Sequence, residues 1–301
     1  MGAAPIIILP GVPMQQLSLL LASLPDGVLL GFVYGVAAMG LTLIWGVMDV
    51  INLSHGAVIS LGMFGTFFIF IKMGINPYVG LIPVAILGLL LGIAIYFIAV
   101  HRIINAPHLS SLLATFSVNM IIIGIATAAL TTSPYNVDFN MGSFDLGFTT
   151  ILGTRLIAAV IAILVTGALY FFLYKTRPGK YVRAVTNNRA AAELMGVPST
   201  QILALSFGLG TMLAAIAGAL IATFFPFSIL SGAHYELKSF VIGVLGGLGN
   251  PVGALFGGLI LGVLEAAVPA FMETSWVPVI EFGLFVVILL VRPKGLFGAK
   301  E

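Results

Sequence analysis

The chain carries very little charge. Only 7% of its 301 residues are Asp, Glu, Lys or Arg, whereas 60% are hydrophobic and the mean hydropathy is +1.19. A soluble domain carries roughly 25% charged residues, which cover its surface. Lipid makes that cover unnecessary, because it solvates apolar side chains directly. The sequence therefore predicts an all-α protein, a polytopic helix bundle within the membrane.

Cysteine is absent. This excludes disulfides, a thiolate nucleophile and a Cys-based metal site. The four histidines are scattered and form no HExxH pair, so no metal site is predicted. The formal net charge of +2 offers no basic face to nucleic acid. No positive charge precedes the first apolar run, which prolines interrupt, so no secretory signal peptide is expected.

Nucleotide-binding and hydrolase motifs are also missing. The nearest approach to a P-loop is Gly179-Lys180, but Tyr181 follows where Ser or Thr is needed. A dinucleotide fingerprint fails because Val252 stands where its third glycine should be, and no GxSxG elbow occurs. We therefore expect no catalytic residues, no cofactor and no enzyme activity in this chain.

Apolar segments recur at lengths that suit a bilayer, which a helix of about 20 residues crosses. Glycines four residues apart, as at Gly31/Gly35 and Gly258/Gly262, predict close helix packing. The region 240–268 is broken at 246–251, as a re-entrant turn or as a tight loop. With an ambiguous stretch at 5–24, the count is about eight to ten spans. The other predicted spans of this single domain, 1–301, are 27–47, 56–71, 79–100, 109–130, 156–174, 202–225 and 277–291.

Lys and Arg divide unevenly between the two sets of loops. One set contains Arg102, Lys175, Arg177, Lys180, Arg183, Arg189, Arg292, Lys294 and Lys300. The other set contains Lys72, Arg155 and Lys238. Cytoplasmic loops carry the excess of positive charge. The first set, and the C-terminus with it, is therefore predicted to be cytoplasmic.

The loop 175–201 is the most informative segment. Pro178-Gly179 breaks the incoming helix, and Asn187 or Asn188 can cap a new one. An Ala-rich stretch follows, and Gly196 with Pro198 ends it. This pattern predicts a short helix outside the membrane, of a kind that a soluble partner can bind in a groove. The alternative is that its basic residues serve only as a topology signal.

This loop resembles the ATPase-contacting loop of ABC importer permeases. The fuller pattern is similar to the branched-chain amino acid permease family, specifically its H-type membrane subunit. The stretches that carry the resemblance are 40–46, 52–57, 183–196, 246–254 and 291–296. One departure is Ala57, because family members commonly have Glu after the His-Gly pair.

The resemblance implies a cytoplasmic coupling helix and a set of partners. These are a second related permease subunit, two cytoplasmic ATPase subunits and an extracytoplasmic substrate-binding protein, in the cell (inner) membrane. ATP hydrolysis would belong to the ATPases. The residues that match the coupling motif are Arg183, Asn187, Asn188, Arg189, Glu193, Leu194, Met195 and Gly196.

Polar residues inside or beside the spans are candidates for the translocation path. They are Asn52, His55, Asn119 and Glu265. Asn52, Ser54 and His55 are favoured as helix caps instead, because short polar side chains satisfy free backbone groups. Asn119 could make an interhelical hydrogen bond. Glu265 is a candidate because an ionisable group in lipid is costly.

The sequence and the resemblance together predict an importer permease for branched-chain or other hydrophobic amino acids. The same architecture importing urea or short amides is one alternative. A stand-alone ion-coupled carrier is another, although few ionisable residues lie within the predicted spans to bind the ion. A non-transporting assembly subunit is the third.

Overall fold

A computed structural model of the chain describes residues 14–104, 106–130, 132–145, 147, 149–292 and 295–298. Over these ranges the fold is a helix bundle, which confirms the predicted all-α class. The elements are α1 (Met14–Met48), α2 (His55–Met73), α3 (Leu81–Ile95, continued by a π-helical turn, Tyr96–Val100), α4 (His108–Leu130), β1 (Ser143–Asp145), β2 (Thr150–Leu152), α5 (Gly153–Lys175), α6 (Arg177–Asn187), α7 (Arg189–Leu194), α8 (Ser199–Ile221), α9 (Ser231–Gly246), α10 (Pro251–Ala267) and α11 (Val277–Val291).

In the described part of the chain, eight helices are long and apolar enough to cross a membrane, which lies within the predicted range. They are α1 to α5, α8, α10 with its 3-10 extension to Ala270, and α11 with the 3-10 turn Thr274–Trp276 that precedes it. From Met14 onward, the ambiguous N-terminal stretch is not a separate span, because its residues are part of the 35-residue α1. Its first part, together with Lys294 and Lys300, lies outside the described residues.

The region 240–268, whose break was predicted to be a re-entrant turn or a tight loop, is two helices. Their connection is a tight loop of residues 247–250, in which Gly247 and Gly249 take φ values of 91° and 86° that favour glycine. Asn250 caps α10, because its Oδ1 accepts from the N–H groups of Val252 and Gly253, both at 3.1 Å. Its Nδ2 donates to the carbonyl of Phe297 at 3.0 Å, so the C-terminal segment covers the loop.

Helix α9 is too short to cross the hydrocarbon by itself. Its 16 residues span about 24 Å at 1.5 Å per residue, less than the roughly 30 Å of hydrocarbon. A bend at 222–230 separates it from α8. Its first turn packs on the first turn of α2, where Gly232 meets the carbonyl of Gly56. Neither helix therefore begins in a surface loop.

Glycines bring the central helices into backbone contact, as their spacing predicted. A Cβ added at Gly31 would lie 2.8 Å from the carbonyl oxygen of Gly258, and one at Gly262 would lie 2.6 Å from Cα of Gly31. The same kind of contact joins α8 to α2 at Gly62 and to α3 at Gly88. Since lipid is as apolar as the side chains, close packing of this kind is what holds membrane helices together.

The loop between α4 and α5 contains the antiparallel pair β1–β2, in which Phe144 faces Ile151. Tyr135 from the same loop forms a β-bridge with Phe227, in the bend before α9. Phe64 of α2 packs edge-on against both rings, each at 5.1 Å between centroids. This aromatic cluster fixes the bend that positions the start of α9.

We predict that Gly262→Val lowers the free energy of unfolding by about 2 kcal/mol, because the side chain would overlap the backbone of α1. Gly283→Val in α11 is the matched control, since no described atom lies within 4 Å of a Cβ there. Thermal unfolding of the detergent-solubilised variants measures both. Equal stability of the two variants would contradict the packing described here.

Candidate functional site

Helix α6 was missed by the sequence prediction, which took Pro178-Gly179 only as a break. The side chain of Thr176 caps the helix by accepting from the N–H of Gly179 at 3.1 Å, with Pro178 in the first turn. A Thr before a first-turn Pro is a helix-start signal that could have revealed it. Arg183 anchors α6 to the end of α5: its Nε donates to the carbonyl of Leu173 at 3.0 Å, and its guanidinium lies 4.6 Å from the Tyr174 ring centre.

Helix α7 is the predicted short helix. Its cap is Asn188, whose Oδ1 accepts from the N–H of Ala191 at 2.9 Å, while Asn187 ends α6 as an exposed residue. Arg189 and Glu193 form an i,i+4 ion pair at 3.0 Å. Gly196 ends this segment with a φ of 81°, as a helix-terminating glycine does.

The end of α7 exposes two large apolar side chains. Leu194 is 88% exposed and Met195 is 84% exposed, more than any other large apolar side chain in the described ranges. Most other exposed apolar residues lie on membrane spans, where lipid covers them. These two lie beside the charged residues of α6 and α7, on a segment too polar for hydrocarbon. We call residues 177–196 the coupling surface, and its apolar tip has the character of a protein contact.

The second candidate site is where α2 and α9 begin. His55 Nε2 lies 3.0 Å from the carbonyl oxygen of Ala37, and the imidazole is fully buried. Ala37 precedes the end of α1, at Met48, by eleven residues, which corresponds to about 16 Å along the helix. The start of α2 therefore lies near the middle of the bundle. We call residues 49–60 with 229–236 the mid-depth junction.

The non-helical chain 49–54 has its backbone groups satisfied by a neighbouring helix. Thr115 of α4 accepts from the N–H of Leu53 at 3.2 Å and has its hydroxyl 3.0 Å from the carbonyl of Ile51. Asn52 Oδ1 accepts from both the N–H and the hydroxyl of Ser54, at 3.1 and 2.6 Å. Asn52 thus stabilises the turn before α2 rather than capping the helix, and the hydroxyl of Ser54 makes no cap bond to α2 either.

Ser60 ties the start of α9 to α2. Its hydroxyl donates to the carbonyl of Ile229 at 2.8 Å and accepts from the N–H of Gly232 at 3.0 Å. One side chain therefore satisfies two backbone groups at a break inside the bundle. The N-termini of two helices meet at this point, and their dipoles make it favourable for negative charge.

A cavity of about 500 Å³, which we call the junction groove, opens beside this point. Its polar lining is Asn52, Asn119 and Glu236, and the rest is apolar apart from the backbone. Asn52 Nδ2 and Glu236 Oε1 are both buried and without a hydrogen-bond partner. Phe116 and Leu237 lie at the mouth, where they are 45% and 54% exposed. The groove is therefore open on one side of the chain.

Of the four path candidates, the structure brings Asn52 and Asn119 into the groove, and neither His55 nor Glu265 is part of its lining. Glu236 was missed because the span was predicted to begin at residue 240. The charges at Glu236 and Lys238 made the preceding turns look like a loop. Glu236 of α9 places its carboxyl group against Gly56 of α2. The glutamate that family members commonly have after the His-Gly pair would instead lie on α2, at the position of Ala57.

Lys238 does not lie in an outer loop, and that placement was wrong. It is buried in α9, with Nζ 2.7 Å from Glu265 Oε2 and 3.7 Å from Glu281 Oε1. Its ammonium group also lies 4.9 Å from the ring centre of Tyr34. Burial is tolerated because both carboxylates compensate the charge. This triad joins α9, α10 and α11 and holds the short helix in the bundle.

Across the described ranges, no group of three or more His, Cys, Asp or Glu side chains could hold a metal ion. The arrangement offers a polar break at mid-depth, an adjoining groove and an exposed helical surface at one end of the bundle. With eight apolar helices, these features fit a multi-pass membrane permease.

The comparisons with known proteins agree. The family described as the branched-chain amino acid transport system permease component matches residues 23–289, and the chain belongs to this family. This confirms the resemblance found in the sequence. The chain is a permease subunit rather than an enzyme.

The chain is similar along nearly its whole length to the high-affinity branched-chain amino acid transport system permease protein LivH of Escherichia coli K12. The two are 30% identical over 306 residues, covering 95% of this chain and 98% of the relative. The LivH protein of Salmonella typhimurium is 29% identical over 303 residues, with the same coverage. The ribose import permease protein RbsC of Escherichia coli K12 is 29% identical over 245 residues, covering 77% and 73%.

We predict that Lys238→Met destabilises the protein by about 3 kcal/mol, because it leaves the buried Glu281 and the part-buried Glu265 without a cation. The control is the triple variant Lys238→Met, Glu265→Gln, Glu281→Gln, which removes all three charges and should recover most of the stability. Thermal unfolding in detergent measures the difference. A single variant as stable as the wild type would show that the triad does not hold α9.

Proposed function

We propose that this chain is a permease subunit of an ATP-driven importer that moves branched-chain or other hydrophobic amino acids inward across the inner cell membrane. An extracytoplasmic binding protein delivers the substrate. Support comes from the family and from the LivH relatives, which are branched-chain amino acid permeases. The mainly apolar junction groove suits a substrate of that kind.

The observation that carries the ATP-driven part of the proposal is the coupling surface. The chain has no P-loop, so an ATP-driven mechanism places ATP binding in another subunit. Leu194 and Met195 project from a capped helix that is anchored to α5 through Arg183. A cytoplasmic ATPase can bind this apolar tip in a groove and move the helix as a rigid lever. Two ATPases are needed if the second permease presents an equivalent helix.

The open side of the junction groove is the physical reason to propose a second permease subunit. The junction groove is open on one side, and a path through hydrocarbon has to be closed around a polar substrate. A related permease chain packed against α4 and α9 would supply the missing wall. The membrane domain of this chain, residues 1–301, would then form one half of the path.

The proposed orientation follows from positive charge. Lys175, Arg177, Lys180, Arg183 and Arg189 all lie at or near the coupling surface. Arg292 follows α11, at the C-terminal end of the described helices. Positive residues mark the cytoplasmic side. The coupling surface and the C-terminus are therefore assigned to the cytoplasm, where ATP is available.

We predict that the double variant Leu194→Asp, Met195→Asp abolishes ATP-dependent uptake and reduces the amount of ATPase that co-purifies about tenfold, because the two apolar anchors that the ATPase would bury become charged. Its stability should stay within about 0.5 kcal/mol of the wild type, since both side chains are exposed in the isolated chain. Uptake into reconstituted vesicles, subunit ratios and thermal unfolding measure the three effects.

The matched control is the exchange Leu194→Met, Met195→Leu, which keeps an apolar tip and should transport normally. Normal uptake by the aspartate variant would refute coupling through this surface. Uptake by the chain in vesicles without any ATPase would refute the ATP-driven proposal and favour an ion-coupled carrier. Intact uptake by a complex in which this chain is inactivated would favour an assembly role.

A further inference from the structure

The junction groove has two buried polar atoms of opposite character beside an apolar wall. We propose that it binds the α-amino acid in transit, with the ammonium group at Glu236 and the carboxylate group at Asn52. This inference rests on the proposed function. It adds the groups by which the permease itself, and not only the binding protein, recognises its substrate.

Glu236 is held in place by one carboxylate oxygen. Oε2 lies against the first turn of α2, 2.6 Å from where a Cβ on Gly56 would be, and the Gly56 backbone hydrogen-bonds this carboxyl group. The free N–H groups of a helix N-terminus suit an anion. Oε1, in contrast, is buried and has no partner. One oxygen thus positions the side chain, and the other is buried without a partner among the described residues.

The neighbouring basic residue does not neutralise Glu236. Lys238, two residues along α9, pairs with Glu265 and Glu281. Along a helix, residues two apart face different directions. Since a buried carboxylate without a cation is costly, a cationic donor entering the groove is stabilised at Oε1. The ammonium group of an amino acid is such a donor.

Asn52 supplies the complementary donor. Its side chain is fully buried, and the N–H of Ser54, 3.1 Å away, has to face the amide oxygen because a backbone N–H only donates. That contact fixes which way the amide points. The remaining atom, Nδ2, is buried without an acceptor. A substrate carboxylate satisfies it.

The rest of the groove is suited to an aliphatic side chain. Its wall includes Leu53, Leu112, Phe116, Leu237 and Phe240, and its volume of about 500 Å³ is that of a small-molecule site. An uncharged amide such as urea would leave the carboxylate of Glu236 without a cation and the apolar wall without contact. A zwitterion with a hydrophobic side chain meets all three requirements.

The test measures ligand binding to the purified complex of this chain with its partner subunits, without the binding protein. The three probes are leucine, its hydroxy acid analogue 2-hydroxy-4-methylpentanoate, and 3-methylbutylamine, which has no carboxylate. Glu236→Gln should weaken leucine and the amine about tenfold and leave the hydroxy acid unchanged, since only the first two carry an ammonium group. Glu273→Gln, an exposed glutamate, is the control and should change none of them.

Asn52→Asp completes the design. The new carboxylate still accepts from Ser54, so the turn is kept, but the donor is lost. Binding of leucine and of the hydroxy acid should fall about tenfold, while binding of the amine is kept or strengthened. A merely structural role would change all three probes equally, and that result, or no change in either variant, would overturn the inference. So would a wild-type complex that binds none of the probes.

The two proposals fail separately. A wild-type complex that transports no amino acid with ATP would refute the proposed function. A complex that transports normally, and in which Glu236→Gln binds all three probes like the wild type, would refute only the assignment of Glu236.

Discussion

Lipid provides no hydrogen bond to a helix that stops halfway, yet α2 and α9 both begin inside this bundle. Each backbone group left free there has to find a partner in the protein. Thr115 supplies one for residues 51 and 53, and Ser60 supplies one for residues 229 and 232. These contacts require the helices to be very close, and glycine at the α2–α8 and α2–α9 crossings provides that closeness. The rest of the architecture depends on this requirement.

The same requirement produces the functional site. A continuous helix presents only side chains at mid-depth, whereas two helix N-termini present oriented N–H groups and a local positive potential. Glu236 is held by the N-terminus of α2, and the Asn52 amide is fixed by the turn that precedes the same helix. The groove beside them therefore has its polar atoms in fixed positions before any substrate arrives. At the far end of α5, the coupling surface is joined to the bundle by a helix cap and an arginine.

The sequence was sufficient for the class of fold, most spans and the short helix α7, because hydropathy, positive charge and capping residues act locally. Prediction from the sequence failed where a tertiary contact places a charged residue inside the bundle, although its local sequence favours a loop. Lys238 looked like a loop residue, because a lone lysine in lipid is costly, but Glu265 and Glu281 compensate it only in the folded bundle. Glu236 was overlooked for the same reason. The cap that starts α6 was visible at Thr176, but Pro178 was interpreted as a break instead of as a first-turn residue.

The central claim is that this chain is one of two permease subunits in an importer driven by separate ATPase subunits. The most direct measurement is native mass spectrometry of the tagged chain after gentle extraction from its own membrane. The account predicts an assembly that contains one copy of this chain, one related permease and two P-loop ATPases. A chain that emerges alone or as a homo-oligomer, under conditions that keep other membrane complexes intact, would contradict it.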